Sequence, residues 1–257
     1  ERTITDAGFT MVMQQIGTCD DEVKCGAVME REKRLQGIVF LGGRFDYTPA
    51  DLAMLNVPFV CCSYSNRYGT LIEGEYSSVS IADGDTAQQA VEELYRHGHR
   101  RIAALISRPN DQSISQLRYE GYVQALESHG IPVDPELVIS TGGFGAKDAY
   151  RAVQEKMAEN VDFTALFAIA DSMAIGAMRA LMDAGRRIPE DCSVIAIDGL
   201  ELSAYIEPPL TTLCQPMEEM GRRSAEILLD MVRHKGSHAC ELLPTTLRQG
   251  RSVAAPR

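Results

Sequence analysis

The sequence contains no apolar run long enough to span a membrane. A transmembrane helix needs about 20 consecutive apolar residues, and polar or charged side chains interrupt this chain of 257 residues at shorter intervals throughout. It also shows no charged segment followed by an apolar one at its start, the pattern of an export signal. We therefore expect a protein that makes no contact with a membrane.

Basic residues are in deficit. The chain has 25 Lys and Arg against 36 Asp and Glu, which gives a net charge of −11. A surface that binds duplex DNA normally carries a clustered basic face, whereas the arginines here occur as isolated pairs at Arg100-Arg101, Arg186-Arg187 and Arg222-Arg223. This segment alone is not expected to bind DNA.

The cysteines lack the spacing of a disulfide framework or a metal site. There are seven, an odd number, and no two of them form a CxxC pair. Cys61, Cys62, Cys192 and Cys214 lie in or beside apolar runs, where cysteine commonly acts as a small buried hydrophobic residue. We therefore expect free thiols and a location in the reducing cytoplasm.

No cofactor, metal or catalytic motif stands out. His234, His238 and Cys240 lie in a polar turn without a second pair of ligands. The glycines around Phe144 in TGGFGAK are not followed by Lys-Ser or Lys-Thr at the spacing of a phosphate loop. No Ser/His/Asp set or paired acid and base appears at motif spacing. The sequence predicts a binding protein rather than an enzyme, without a cofactor or a metal.

Short β-branched runs alternate with amphipathic segments along the chain, which predicts parallel strands joined by crossover helices. The predicted strands are Phe9–Gln14, Gly37–Leu41, Phe59–Ser63, Ser78–Ile81, Ile102–Ile106, Leu137–Ser140, Ala165–Ile169 and Val194–Ile197. The predicted helices are Asp21–Arg34, Pro49–Leu55, Asp83–His97, Ser113–His129, Ala146–Asn160, Asp171–Ala184 and Met217–His234. Continuous apolar strands indicate sheets covered on both faces. The fold class is α/β and doubly wound.

The last third of the chain indicates two lobes. After Ile197 it passes through Pro208-Pro209 and an extended LTTLCQP segment, then a new helix, and ends in a further extended stretch at Cys240–Leu247. The prolines disfavour helix there. A late helix and a late strand that rejoin earlier layers fit a chain that crosses between lobes more than once.

Ligands of doubly wound sheets bind beyond the carboxyl ends of the strands, so the residues that follow each strand are the candidates for a site. Asp83 and Asp171 each follow a strand and begin a helix, which fits either a helix cap or a pocket residue. Arg118 lies early in a helix and is either an exposed arginine or a two-donor clamp for a diol, carboxylate or carbonyl. Asp198 ends a buried strand, where a carboxylate needs a partner. It either binds a ligand or serves as a helix cap or in a salt bridge. Phe144 is an aromatic residue in a glycine loop that could form a stacking wall.

These residues lie within stretches that resemble the lactose-repressor/galactose-repressor family of transcriptional regulators. The run TALFAIADSMAIGAMRALMDAGRRIPEDCSVIAIDG, followed by EPPLTTLCQPMEEMGRRSAEILL, is similar to the second half of that family's core. GHRRIAAL and RYEGYVQALESHGI match its central segment, and LRQGRSV its closing strand. The similarity extends from about Phe9 to Val253.

The resemblance implies a periplasmic-binding-protein type I fold, with two Rossmann-like lobes, three crossovers and an effector bound between the lobes. The expected crossings lie near Ser107, Leu213–Gln215 and Cys240. The N-terminal lobe would then comprise residues 1–107 and 216–239, and the C-terminal lobe 108–214 and 240–257.

The resemblance also implies site residues. Asp83 matches an acidic residue at the start of a first-lobe helix, Arg118 the arginine that grips the effector, and Asp198 the aspartate of the second lobe that faces the effector. Phe144 matches a position that is often aromatic, and Gln215 lies at a crossover near the pocket mouth. Many sugar-responsive members have Asn-Asp where this chain has Ala170-Asp171, so one contact to sugar hydroxyls is missing here.

The function implied is that of an effector-sensing core. It would bind a small polar molecule, a sugar or a sugar-like compound, and change operator affinity allosterically as a homodimer. Operator DNA would be bound by a helix-turn-helix headpiece that is not in this sequence. An exported solute-binding protein of a transporter, which has the same fold, is the alternative.

Overall fold

The computed structural model describes residues 1–17, 21–72 and 74–256. Two compact units are present, one formed by Glu1–Ile81 with Pro216–Leu243, and the other by Ala82–Gln215 with Pro244–Arg257. No helix in the described ranges is long and apolar enough to cross a membrane.

The helices and strands follow the predicted alternation. The helices are α1 (Arg2–Asp6), α2 (Glu22–Lys33), α3 (Pro49–Leu52), α4 (Asp83–Arg96), α5 (Ile114–Ser128), α6 (Ala146–Ala158), α7 (Asp171–Asp183) and α8 (Met217–His234). The strands are β1 (Ile38–Leu41), β2 (Phe59–Cys62), β3 (Ser78–Ser80), β4 (Ile102–Ile106), β5 (Val138–Ser140), β6 (Ala165–Ala168), β7 (Ser193–Asp198), β8 (Thr211–Cys214), β9 (Cys240–Leu242) and β10 (Thr246–Arg248).

The first unit contains a parallel sheet in the order β1-β2-β3-β9. Helix α8 packs on this sheet through an apolar face, and Gly37 leaves the space that Leu228 fills. Helix α2 begins at Asp21, whose carboxylate accepts from the backbone N–H groups of Val23 and Lys24. That cap satisfies two donors that an α-helix otherwise leaves unpaired.

The second unit contains a sheet in the order β10-β8-β7-β6-β4-β5. All neighbours are parallel except β10, which pairs antiparallel with β8. Strands β4 and β6 are wholly buried, as expected for a sheet with helices on both faces. Because β4 lies between β5 and β6, the winding direction reverses there, and such a switch point is where doubly wound sheets bind ligands.

The predicted strand Phe9–Gln14 is wrong. These residues belong to no strand of the described chain, and Met11, Val12 and Met13 are exposed. An apolar run becomes a strand only when a neighbouring edge supplies hydrogen-bond partners. No sheet edge in the described ranges does so here.

Two of the predicted crossings differ from the boundaries of the compact units. The first boundary lies at Ile81 and Ala82 rather than near Ser107, because α4 packs closely on α5 and so belongs to the second unit. The last lies after Leu243 rather than near Cys240, because β9 pairs with β3 of the first unit. Asp83 therefore belongs to the second unit and not, as predicted, to the first lobe.

The described cysteines are free thiols. Cys61, Cys62 and Cys192 are buried, as their apolar surroundings in the sequence predict, and Cys214 is half-buried. Burial raises the pKa of the Cys61 thiol to about 12. At neutral pH this thiol is protonated and acts as part of the core.

Candidate functional site

A polar cluster lies at the switch point of the second unit. Asp83 and Arg118 come from the neighbouring helices α4 and α5, and Asp198 ends the central strand β7. Gln215 directly follows β8, the neighbour of β7. These four of the six sequence-predicted residues meet through a chain of hydrogen bonds, and we call them the Arg118 cluster.

Arg118 is the centre of the cluster and is only 2% exposed. Its Nε donates to Asp83 Oδ1 over 2.9 Å, and its Nη1 donates to Asp198 Oδ1 over 3.3 Å and to the carbonyl of Ile169. Burial opposes the guanidinium charge, but the two carboxylates outweigh it and raise the pKa of Arg118. The side chain is therefore a permanent buried cation and not the exposed helix arginine that its spacing also allowed.

Asp83 is the first residue of α4, yet its side chain does not cap the helix. It lies against Arg118 and is almost completely buried. Burial raises the pKa of the Asp83 carboxyl, and Arg118 counteracts this only in part. Among the described residues, Asp83 Oδ2 and Arg118 Nη2 have no hydrogen-bond partner. Buried polar atoms in native proteins rarely lack one, so the cluster contains one unused acceptor and one unused donor.

Asp198 is held by three donors. Its Oδ1 accepts from Arg118 and, over 2.8 Å, from Gln215 Nε2, and its Oδ2 accepts from the backbone N–H of Asp171 over 3.3 Å. The side chain remains 19% exposed. Its φ of 136° is unusual for a residue other than glycine. Such strain is kept where the surrounding structure fixes a side chain, often at a functional site.

Asp171 joins the Arg118 cluster through its backbone N–H, which donates to Asp198. Its carboxylate is fully buried and accepts from the hydroxyls of Thr212 and Ser203 and from the N–H of Leu200, over 2.6, 2.7 and 2.8 Å. Burial raises the pKa of this carboxyl against those hydrogen bonds. The predicted alternative of a helix cap is wrong for Asp171 as for Asp83, because both are the first helical residue and not the residue before it.

Arg248 was missed by the sequence reasoning. From β10 it donates to the carbonyl of Leu200 and to the hydroxyl of Ser203, and it approaches Asp171 Oδ2 to 3.9 Å. Thr212 and Ser203, which were also missed, complete this second network. Nothing local in the sequence marks these residues, because their role depends on pairing between strands far apart in the chain.

Phe144 lies in the loop before α6 and its side chain is 40% exposed. Its backbone carbonyl accepts from the hydroxyl of Ser172 over 2.8 Å, which ties this loop to the first turn of α7. Ala170 directly precedes α7 and is buried. The loop and the polar cluster thus meet the same end of α7, but through different residues.

Comparisons with known proteins agree with this architecture. Residues 91–253 match the family of the periplasmic binding protein-like domain. The chain is 35% identical over 248 residues to the HTH-type transcriptional regulator MalR of Clostridium butyricum, covering 95% of this chain and 72% of that protein. It is 32% identical over 249 residues to the HTH-type transcriptional repressor CytR of Escherichia coli K12, covering 95% and 71%.

A solved structure shows the same similarity. The structure of the complex of the transcriptional regulator CelR with cellobiose superposes with a TM-score of 0.84 at 30% identity, covering 98% of this chain and 76% of that one. The curated relatives named above are regulators of transcription rather than exported binding proteins or enzymes.

Proposed function

Because this chain belongs to the LacI family of transcriptional regulators and forms the effector-binding core of such a protein, we propose that it senses a small polar molecule at the Arg118 cluster and thereby controls operator affinity. The sensing unit acts in the cytoplasm as a homodimer. Operator DNA is bound through a helix-turn-helix headpiece, because a net charge of −11 makes this segment itself unsuited to bind a duplex.

The observation that carries the proposal is the unsatisfied polarity of the buried cluster. No described residue donates to Asp83 Oδ2 or accepts from Arg118 Nη2. A hydroxyl group can meet both needs, because it donates and accepts at once. A sugar or related polyol offers several such groups, which suits a site built from two carboxylates, a guanidinium and an amide.

The transmission of the signal is proposed to pass through Asp198. A ligand that contacts this carboxylate acts on a residue bonded to α5, to α7 and to the segment after β8. Ligand binding then favours one conformation of the core over another, and the coupling to operator binding is reciprocal, of about 1–3 kcal/mol. No catalytic step is part of this function.

The first prediction concerns ligand binding. We expect at least one neutral sugar, polyol or nucleoside in a panel to raise the melting temperature of the chain in proportion to its occupancy, with the affinity confirmed by calorimetry. Gln215→Ala removes a donor to Asp198 from a half-buried position and should weaken binding of that ligand by at least about tenfold.

The matched control is Arg179→Ala, which removes an arginine paired with Asp183 on the surface of α7 and leaves the Arg118 cluster intact. Its affinity should equal that of the unmodified chain. A panel in which nothing binds, or a ligand that binds Gln215→Ala as tightly as it binds the control, would contradict the proposal.

A further inference from the structure

The donors around Asp198 have the composition of an anion-binding site. A guanidinium group, a side-chain amide and the first backbone N–H of the 13-residue helix α7 converge on one carboxylate. Free N–H groups at a helix start attract anions, and arginine is the side chain that binds carboxylates and phosphates best. The group that occupies this arrangement is part of the protein itself.

We propose that the Asp198 carboxylate fills a built-in anion cradle, formed by Arg118, Gln215 and the Asp171 N–H, and thereby excludes effectors that present a negative charge to this site. The inference rests on the proposed function, since it specifies the chemical class of ligand that the same site accepts. Asp198 is then a specificity-determining residue in addition to a contact.

The charges of the cluster support the exclusion. Arg118 is its single cation and faces two carboxylates, Asp83 and Asp198. The next ionic group, Asp171, is paired with its own arginine, Arg248, at 3.9 Å. A phosphate or carboxylate that approached would meet a surplus of negative charge, and the three donors that face Asp198 would already be in use, which leaves Arg118 Nη2 as the free donor of the guanidinium. A hydroxyl or amino group would also meet the unused acceptor Asp83 Oδ2.

The backbone conformation of Asp198 indicates that this position needs the aspartate side chain. Its φ of 136° lies in a region that favours glycine. An aspartate at this position carries backbone strain that a glycine would not. The three hydrogen bonds to the carboxylate hold the residue in place, and the unpartnered Arg118 Nη2, on a side chain 2% exposed, leaves one more donor beside the cradle.

The test removes the Asp198 carboxylate by substitution and supplies small anions in solution instead. Asp198→Gly keeps the backbone angle and deletes the equivalent of one acetate molecule, so acetate and inorganic phosphate are the probes. We expect Asp198→Gly to bind acetate at least about tenfold more tightly than the unmodified chain, the ratio that one charge-assisted hydrogen bond supplies. Calorimetry and the anion-dependent rise in melting temperature measure it.

Two further variants isolate the cause. Asp183→Asn removes a carboxylate that pairs with Arg179 on the surface, so it reports any general stabilisation by these salts. Asp198→Asn removes the charge but still fills the cradle with an amide oxygen, so it should bind acetate no better than the unmodified chain.

The proposal is overturned if Asp198→Gly gains no anion binding over Asp183→Asn, if the unmodified chain binds acetate or phosphate equally well, or if Asp198→Asn gains as much as Asp198→Gly. None of these outcomes depends on knowing the effector. If no ligand of the neutral panel bound, that result would contradict the proposed function. The anion cradle would still be tested independently by the acetate titration.

Discussion

At the scale of single residues, Arg118 and Asp83 are two charges that the second unit can bury only because they pair with each other. Both side chains are almost wholly inaccessible, and within the part of the chain that the structure describes the Asp83 carboxylate makes no hydrogen bond besides the one of 2.9 Å to Arg118. Burying one charge without its partner costs far more than burying neither. The two residues are therefore interdependent in stability as well as in the proposed site.

We expect Arg118→Met to lower the free energy of unfolding by about 3–5 kcal/mol, because it leaves Asp83 buried without a counter-charge. Asp198 loses a donor as well, but Gln215 and the Asp171 N–H still hold it and it reaches solvent. Urea denaturation of the variant and of the unmodified chain measures the difference.

The double variant Asp83→Leu with Arg118→Met should recover most of that loss, because apolar side chains then replace both charges. Arg179→Met, on the exposed surface of α7, should be close to neutral. If the double variant were as unstable as Arg118→Met alone, the unpaired carboxylate would not be the cause.

The sequence could predict which residues surround the site, but not what each side chain does. Arg118 and Asp198 stand where the end of a strand and the start of a helix suggest a ligand, and the structure brings them together with Gln215. Whether Asp171 caps a helix depends on a shift of one residue at the helix start. Its actual partners, Ser203 and Thr212, come from later elements whose pairing no local pattern reveals.

At the scale of secondary-structure elements, two glycines bring α4 and α5 into close contact. A Cβ atom added to Gly121 of α5 would lie 2.1 Å from the carbonyl oxygen of Gly84 in α4. Backbone atoms cannot move aside as a flexible side chain can. Since Asp83 begins α4 and Arg118 lies one turn before Gly121, this contact also sets the distance between the two charges.

We expect Gly121→Ala to force the two helices apart and to lower the free energy of unfolding by about 1–3 kcal/mol, despite the better helix propensity of alanine. Affinity for the effector should fall with it, because the bond between Asp83 and Arg118 is stretched. Thermal denaturation and calorimetry measure the two effects.

The matched substitution is Gly221→Ala in α8, where an added Cβ would meet nothing within 4 Å. It should raise the free energy of unfolding by up to about 1 kcal/mol, because alanine stabilises a helix interior. Equal stability of the two alanine variants would mean that the helix contact is looser than the structure shows.

The helices were predictable to within a few residues because each buries one face, and that requirement is written in the spacing of apolar side chains. The failure at Phe9–Gln14 has the opposite cause. Its apolar residues fit a strand, but a strand also needs a neighbour, which sequence spacing does not report. The close contact of Gly84 with Gly121 is likewise invisible in the sequence, where Gly121 reads as an ordinary weak point in a helix.

At the scale of the whole molecule, the alternation of strands and helices predicts parallel sheets but not their strand order. That β4 lies between β5 and β6, and that β10 runs antiparallel beside β8, follows from packing across the unit. This order places the ends of β6 and β7 beside the switch point and so assembles residues far apart in the chain. The site is thus a property of the topology more than of any motif.

The turn that follows Asp198 connects the site to the surface. Asp171 fixes it through the N–H of Leu200 and the hydroxyl of Ser203. The same turn presents Leu202, 63% exposed, and Tyr205, 78% exposed. Large apolar side chains that are exposed together on one turn fit an interface, and in the proposed homodimer we expect this turn to contact the second copy of the chain.

We therefore expect sedimentation to give about twice the chain's mass of 28.2 kDa. Tyr205→Asp should raise the dimer dissociation constant by at least about tenfold, because an aromatic side chain buried in an interface commonly contributes about 1.4 kcal/mol or more. Met182→Asp, which places the same charge on the exposed side of α7 in the same unit, should leave association unchanged.

Ligand binding and dimerisation can be coupled, because the turn is hydrogen-bonded to the Asp171 carboxylate and the Asp171 N–H donates to Asp198. If a ligand at Asp198 changes the dimer dissociation constant, the dimer and the Tyr205→Asp monomer must bind that ligand with different affinities. If both forms bound the ligand with equal affinity, ligand binding would not be coupled to dimerisation, and the signal would have to reach the operator in another way.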